Sequence, residues 1–501
     1  MSERAKGWIW PTAVALFAFA LRVWHLGRPR SLSFDERYYA ENAWSMLHVG
    51  YAQDFAEGAE RKIAAGHLHG LFVTGQPTQV VHPDAAKWLI AAGEALFGFD
   101  SFGWRIASAV VGALTVLVLA RLVLRLTGSL PFACFAGFLL ALDGLHITLS
   151  RLALLDVFVT FWIVCAVACL VADRDWIARR LDRHRFWRPW QLLAGVCFGL
   201  ACGSKWNGVY ALAAFGVTVV AWEFALRRSQ TAIHPILSTL AIGVPAFVRV
   251  VVVAAVVYVF TWAGWLANHG VYEHRFGHGY GDEPAWGSYV NQPTTGPWSS
   301  TTHALRSMWK YQEMTYRFHT GSYLAKQTHP YQSHAIGWLV QARPVSAAVH
   351  MDVPANRCGA AADSSCMRET LLLGNPAVWW TGVVAMVVSA LAWARGRRWQ
   401  DSIPIVGLIA TWVPWLPIMH RPIFAFYAVT TLPFLILALA LTLHATGQRA
   451  RTPRQTYAAA LGVGVVMTST VACAVYFWPV WTYGLIPYEA WHARMWFGSW
   501  I

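Results

Sequence analysis

"WIWPTAVALFAFALRVWHLGRPRSLSFDERYYAENAWSML" (8–47) passes from an apolar run into a polar segment led by two adjacent acids, Asp35 and Glu36. The run from Trp8 to Trp24 approaches the length of about 20 mostly apolar residues that crosses a bilayer. No small-residue cleavage site follows, so it reads as a retained span rather than a removable signal peptide. The stretch therefore places two carboxylates just beyond the end of a membrane segment, and the rest of the chain must say on which side.

Composition points the same way. Of 501 residues, 56% are hydrophobic, only 13% are charged and 29 are Trp, whereas a soluble domain carries about a quarter charged residues. The fold class is an all-α polytopic membrane protein. Eleven apolar segments are expected to span: 8–26, 104–126, 130–148, 153–172, 190–204, 207–226, 238–266, 374–394, 403–419, 423–444 and 456–477. "GSKWN" (203–207) divides the fifth from the sixth. The net charge of +14 does not indicate nucleic acid as a partner, because the arginines fall in short clusters between apolar runs.

Those clusters orient the chain. Arg4, Lys6, "RDWIARRLDRHRFWR" (174–188), "RR" (227–228), "RGRR" (395–398) and "RARTPR" (449–454) share one side of the eleven-span count. The positive-inside rule makes that side cytoplasmic, which puts the N-terminus inside and the C-terminus outside. Asp35 and Glu36 then face outward, with two large outer segments, 27–103 and 267–373. Both are rich in Trp, His and Tyr and read as helices and ordered loops against membrane lipids. No internal repeat supports an inverted-repeat transporter.

Ser33-x-x-Glu36 is a capping-box pattern, and Tyr39, Ala43 and Leu47 recur at helical spacing. A surface helix is expected from about residue 34. In the bland reading Glu36 closes the box and Asp35 complements the helix dipole. In the functional reading an ionised Asp35, just past a span, takes a proton from a hydroxyl at the membrane surface.

Three cations oppose the charge bias by lying at outer ends of spans: Arg151, Lys205 and Arg421. They either snorkel or pair locally, as Arg151 would with Asp156, or they mark a ligand. Their level suits a lipid phosphate. A sugar on a lipid phosphate needs charge stabilisation of its leaving group, which Arg and Lys supply, and a base for the acceptor hydroxyl. The opening stretch has no Asp-x-Asp pair, so a site without metal or other cofactor is expected. His82 with Lys87, and His329, Tyr331 and Trp338 in "THPYQSHAIGWLV" (328–340), also lie outside. They show no zinc-ligand spacing and read as ordinary hydrogen-bonding residues or as contacts for sugar or peptide. Six of the eight Cys lie in apolar runs. Cys358 and Cys366 share a polar loop and can pair if that loop is outside the cytosol.

Taken in order, "FDERYY" (34–39), "HPDAAKWLI" (82–90), "SRLALLD" (150–156), "GLACGSKWNG" (199–208), "HPYQSHAIGW" (329–338), "RPIFAFY" (421–427) and "IPYEAWHARMWFGSW" (486–500) resemble the protein O-mannosyltransferases, GT-C glycosyltransferases, and most closely their actinobacterial members. The resemblance covers nearly the whole chain and implies a single GT-C domain of eleven spans. It implies inverting transfer of mannose from polyprenyl-phosphate mannose to Ser or Thr of secreted or membrane proteins, outside the plasma membrane. Asp35 would be the base and Glu36 would position acceptor or sugar. Arg151, Lys205 and Arg421 would meet the donor phosphate, and His82, His329, Tyr331 and Trp338 the sugar or acceptor. Acceptors would be met near the Sec translocon. The chain departs from eukaryotic relatives in reading His82-Pro83-Asp84 for His-Pro-Pro, and 267–373 is too short for their β-trefoil. The competing enzyme is a GT-C transferase moving the sugar to a glycolipid or polysaccharide. A transporter would instead carry polar groups at mid-span.

Overall fold

A computed structural model describes residues 2–180, 187–230, 234–293 and 295–501. Part of the basic loop 174–188, residues 181–186, lies outside them. Each expected span coincides with helix. Among the described residues, seven helices are long and apolar enough to cross a membrane: Gly103–Thr127, Asp156–Ala178, Gly208–Arg228, Pro235–Thr261, Pro376–Gly396, Trp399–Ile418 and Pro453–Trp481. The other four expected segments are less apolar, shorter or broken. Glu3–Val23 carries charge at its start, and Pro189–Ser204 has 16 residues.

The breaks have local causes. The 130–148 segment divides into Leu130–Ala141 and Gly144–Leu149 because Asp143 turns the chain and caps the second piece, accepting from His146 N at 2.9 Å. Its other oxygen accepts from Asn375 N and Trp379 Nε1 at 2.8 and 2.9 Å, so the acid is buried but fully used. Pro414 and Pro417 tighten the end of Trp399–Ile418 into a 3-10 turn. A second such turn, Ala425–Thr430, precedes the helix Leu432–Arg449. At "GSKWN" the helix Pro189–Ser204 stops and Lys205 is extended, so this is a junction between two helices.

Asp156–Ala178 stands at the centre of the bundle, with 78% of its apolar window enclosed, against 17% for the lipid-facing Pro453–Trp481. Its two ends carry different chemistry. At one end Asp173 and Glu223 clamp the buried Arg188. That cation therefore belongs to a closed ion cluster rather than to a free basic loop. At the other end lies Asp156, considered below.

The polar segment 27–103 holds the helices Glu36–Val49 and Ala85–Phe97 and a strand pair, Gln53–Phe55 with Phe72–Pro77. The segment 267–373 holds the helices His269–Phe276 and Pro297–Thr320 and an antiparallel hairpin, Val345–Pro354 with Ser365–Leu372. The strands add to the helices and loops expected there. Cys358 and Cys366 are joined across the hairpin, with Cα atoms 6.1 Å apart. A third strand, Ile486–Pro487, pairs with Ser365–Leu372 and brings the end of the chain onto this sheet.

Candidate active site

The acidic pair is divided by its folding. The helix Glu36–Val49 begins at Glu36, and its carboxylate is wholly buried. Glu36 Oε2 accepts from Ser33 N at 2.8 Å, which is half of the expected capping box; the Ser33 hydroxyl turns to Ser31 O instead. Arg105 donates to both Glu36 oxygens, each at 2.7 Å, and Ala153 N donates to Oε1 at 2.9 Å. Arg105 also binds the carbonyls of Leu26, Pro29 and Ser31. Glu36 thus has no oxygen left for sugar or acceptor. Its expected catalytic contact is replaced by a structural one, holding the loop that carries Asp35.

Asp35 makes no cap bond with its side chain. Before it, Phe34 has φ of +53°, a left-handed backbone that non-glycine residues seldom adopt and that is kept where the surroundings impose it. Asp35 is partly buried, and desolvation raises its pKa to about 6. The positive charge of Lys205 draws it down and the negative charge of Asp156 pushes it up. The carboxylate is therefore within the field of a Lys–Asp pair, and remains mostly ionised at pH 7.

That pair lies at the junction predicted to interrupt the spans. Lys205 Nζ donates to both oxygens of Asp156 at 2.9 and 3.1 Å and sits 4.1 Å from the centroid of the Tyr427 ring. Its other side faces a cavity of about 560 Å³ that is also lined by His82, His319, Arg421, Tyr427 and the aromatic rings of Trp206 and Tyr258. Two of the three expected phosphate ligands, Lys205 and Arg421, thus share one cavity. Among the described residues the Arg421 guanidinium makes no hydrogen bond or ion pair.

Arg151 is not with them. Its guanidinium is buried against the carbonyls of Arg22 and Trp24, at 2.8 and 2.6 Å, and of Leu21 and His25. It ties off the end of the first helix, where carbonyls lack intrahelical donors. It neither meets the cavity nor pairs with Asp156.

The aromatic and histidine residues form two groups. His82 lines the cavity and stacks on His319, with centroids 5.4 Å apart. His319 Nε2 donates to Val81 O at 3.0 Å, and the buried Nδ1 atoms of both rings have no partner among the described residues. Burial first, and then the charges of Lys205 and Arg421 among others, hold both imidazoles below their ordinary pKa, hence neutral. His329 lies elsewhere, packed on Phe34 and Phe424 at 6.1 and 5.0 Å, with Tyr331 beside it. Trp338 is buried; it donates to Ser333 Oγ and backs Trp415 and Tyr427 of the cavity wall. It supports the wall and does not line it.

Asp35 therefore stands between a cation-bearing cavity and an aromatic patch around Phe34. Three contributors escaped the sequence reading: Arg105, Asp156 as the partner of Lys205, and His319. The grouping of His269, Glu273 and His303, whose ligand atoms lie within 4.8 Å of one another, is separate from this cavity.

Residues 12–266 match the profile described as dolichyl-phosphate-mannose-protein mannosyltransferase, and residues 304–500 match the C-terminal four-span region of protein O-mannosyltransferase. The polyprenol-phosphate-mannose–protein mannosyltransferase of Mycobacterium tuberculosis is 32% identical over 99% of this chain and 92% of its own length. That of Corynebacterium glutamicum is 29% identical, over 97% and 92%. In structure, the Saccharomyces cerevisiae protein O-mannosyltransferase Pmt1–Pmt2 complex bound to the sugar donor superposes with a TM-score of 0.73 at 14% identity. That match covers all of this chain and 93% of the other; it shares the fold. The chain is a multi-pass membrane glycosyltransferase, and it belongs to the dolichyl-phosphate-mannose-protein mannosyltransferase family.

Proposed function

We propose that this chain transfers mannose from polyprenyl-phosphate mannose to Ser and Thr hydroxyls of secreted or membrane proteins, with inversion, at the extracytoplasmic face. Family membership carries the activity, mannose transfer to protein. The observation that carries the mechanism is a partly buried, uncapped Asp35 beside a cavity in which Lys205 and Arg421 converge.

The donor phosphate sits between Arg421 and Lys205, and the mannose C1 faces Asp35. Asp35 takes the acceptor hydroxyl proton as the oxygen attacks C1. The bond from C1 to the phosphate oxygen breaks, and polyprenyl phosphate leaves with its charge met by the two cations. It needs no protonation, so one base and two cations suffice without metal or cofactor. Attack opposite the leaving group inverts C1. Below the cavity an apolar groove between Gly208–Arg228 and Pro235–Thr261, lined by Leu212, Val220 and Val251, suits a polyprenyl chain. The patch of Phe34, His329 and Tyr331 suits the acceptor peptide. The Cys358–Cys366 bond supports an oxidising, outward location for that side, with the N-terminus cytoplasmic and acceptors met near the translocon.

The test is transfer of labelled mannose from the lipid donor to a Ser/Thr peptide in membranes carrying wild type or Asp35→Asn. Label in the peptide with wild type alone is expected. Label confined to lipid would overturn the protein acceptor, and an active Asp35→Asn would overturn the base.

A further inference from the structure

The polar segment 267–373 contains a cluster that the transfer reaction does not use. His269 and Glu273 lie four residues apart on the helix His269–Phe276, so both project from one face. His303 comes from the neighbouring helix Pro297–Thr320. His269 Nδ1 is 2.7 Å from Glu273 Oε1, and His303 Nε2 is 3.0 Å from Glu273 Oε2. The two imidazole rings are 5.6 Å apart. Glu273 is 6% exposed, so the carboxylate is removed from water and its oxygens are directed at the two rings.

We propose that His269, Glu273 and His303 form a zinc-type divalent cation site that clamps these two helices together. Two imidazoles and a carboxylate are a donor set suited to zinc. Bonds of about 2.0–2.1 Å in a tetrahedron hold ligand atoms about 3.3 Å apart. The ligand atoms here all lie within 4.8 Å of one another, so side-chain adjustment alone closes the site. The imidazole protons now shared with Glu273 move to the outer ring nitrogens, leaving the inner nitrogens as ligands. His303 also lines a hollow of about 350 Å³ with Tyr289, Trp298, Ser299, Thr302 and Arg306, which leaves room beside the cluster for water as a fourth ligand.

The clamp has a reason to exist. Pro297–Thr320 also supplies Tyr316, His319 and Thr320 to the catalytic cavity, about 20 Å further along at 1.5 Å per residue. Its first turn carries the heavily exposed Trp298, and the clamp would hold that end. The site holds the helix without entering the chemistry, so it is compatible with metal-free transfer.

The test uses the full chain in detergent, with a tag free of histidine, stripped with chelator and titrated with Zn(II) and separately with Co(II). One ion per chain is expected, with the intense visible absorption of tetrahedral Co(II), and the melting temperature should rise on metal addition. Glu273→Gln and, independently, His303→Ala should each weaken binding at least about tenfold while remaining monodisperse. If either variant fails to fold, the wild-type stoichiometry, Co(II) spectrum and thermal shift still decide. Absence of a bound ion in wild type, an octahedral Co(II) spectrum, or unchanged binding in both variants would overturn the site and leave a hydrogen-bonded triad.

Discussion

At Asp35, the proposed base, two influences oppose each other: burial raises its pKa to about 6, and the Lys205 charge lowers it. A base works only when ionised, so activity rises as pH climbs through about 6 and is level above 7. Each unit below 6 should cost about tenfold in kcat/KM, and a pH–rate profile in a buffered detergent system reads the midpoint directly. Asp35→Asn should lower transfer about 10²–10⁴-fold without changing the amount of protein in the membrane. Arg421 differs in kind. Among the described residues it makes no ion pair, so in the proposed donor pose Arg421→Ala removes a charged hydrogen bond to ligand worth about 1.5–3 kcal/mol. The expected reading is a ten- to hundredfold rise in donor KM with peptide KM unchanged. The place of Asp35, just past a span and at the start of a helix, was legible from sequence; its proposed role as base rests on the neighbouring cavity. The fate of Glu36 was not, because its partner Arg105 lies 69 residues away, and nothing local announces such a pairing. Arg151 misled for a related reason: a cation at a helix end looks alike whether it meets a phosphate or a row of carbonyls.

The same interactions act on whole elements. Arg105 draws together the carbonyls of Leu26, Pro29 and Ser31 and the start of the Glu36–Val49 helix, so a buried bidentate pair fixes the entire approach to the site. Removing one partner leaves the other charged and dry, at a cost of about 3–5 kcal/mol. Glu36→Ala should therefore reduce the yield of folded protein and its melting temperature. Arg151→Ala should do the same by freeing four carbonyls, with little change in donor KM for the fraction that folds; a selective KM effect would return Arg151 to the ligand. The long helices were legible because a bilayer demands long apolar runs. The division at Asp143 had a visible sign, an acid before Gly144 inside such a run, which is a helix start. The strands of the outer segments were hidden because they are short, and the longest, Val345–Pro354, gains its partner through a register containing irregularities that alternation of residues does not reveal.

For the whole molecule, the proposed topology puts Asp35 and the Cys358–Cys366 loop on one side of the membrane and the N-terminus on the other. Single cysteines placed at position 4 and at position 57, in a background lacking the exposed native thiols, should be labelled from opposite sides of intact cells; labelling of both from outside would reverse the orientation. Charge clusters carry this proposed topology, although individual cations such as Arg188 turned out to be neutralised in the interior. The strand Ile486–Pro487 has one more consequence. It completes the sheet begun by Val345–Pro354 and Ser365–Leu372, and beyond it Trp491 donates to Glu369 while Trp500 donates to Gln341 O at 2.7 Å. These residues leave the ribosome after the helix Pro453–Trp481, so the three-stranded sheet can be completed only once that helix has been inserted in the correct direction. A nascent chain with one segment uninserted would strand the tail on the wrong side, exposing an unsealed sheet edge for proteases to find.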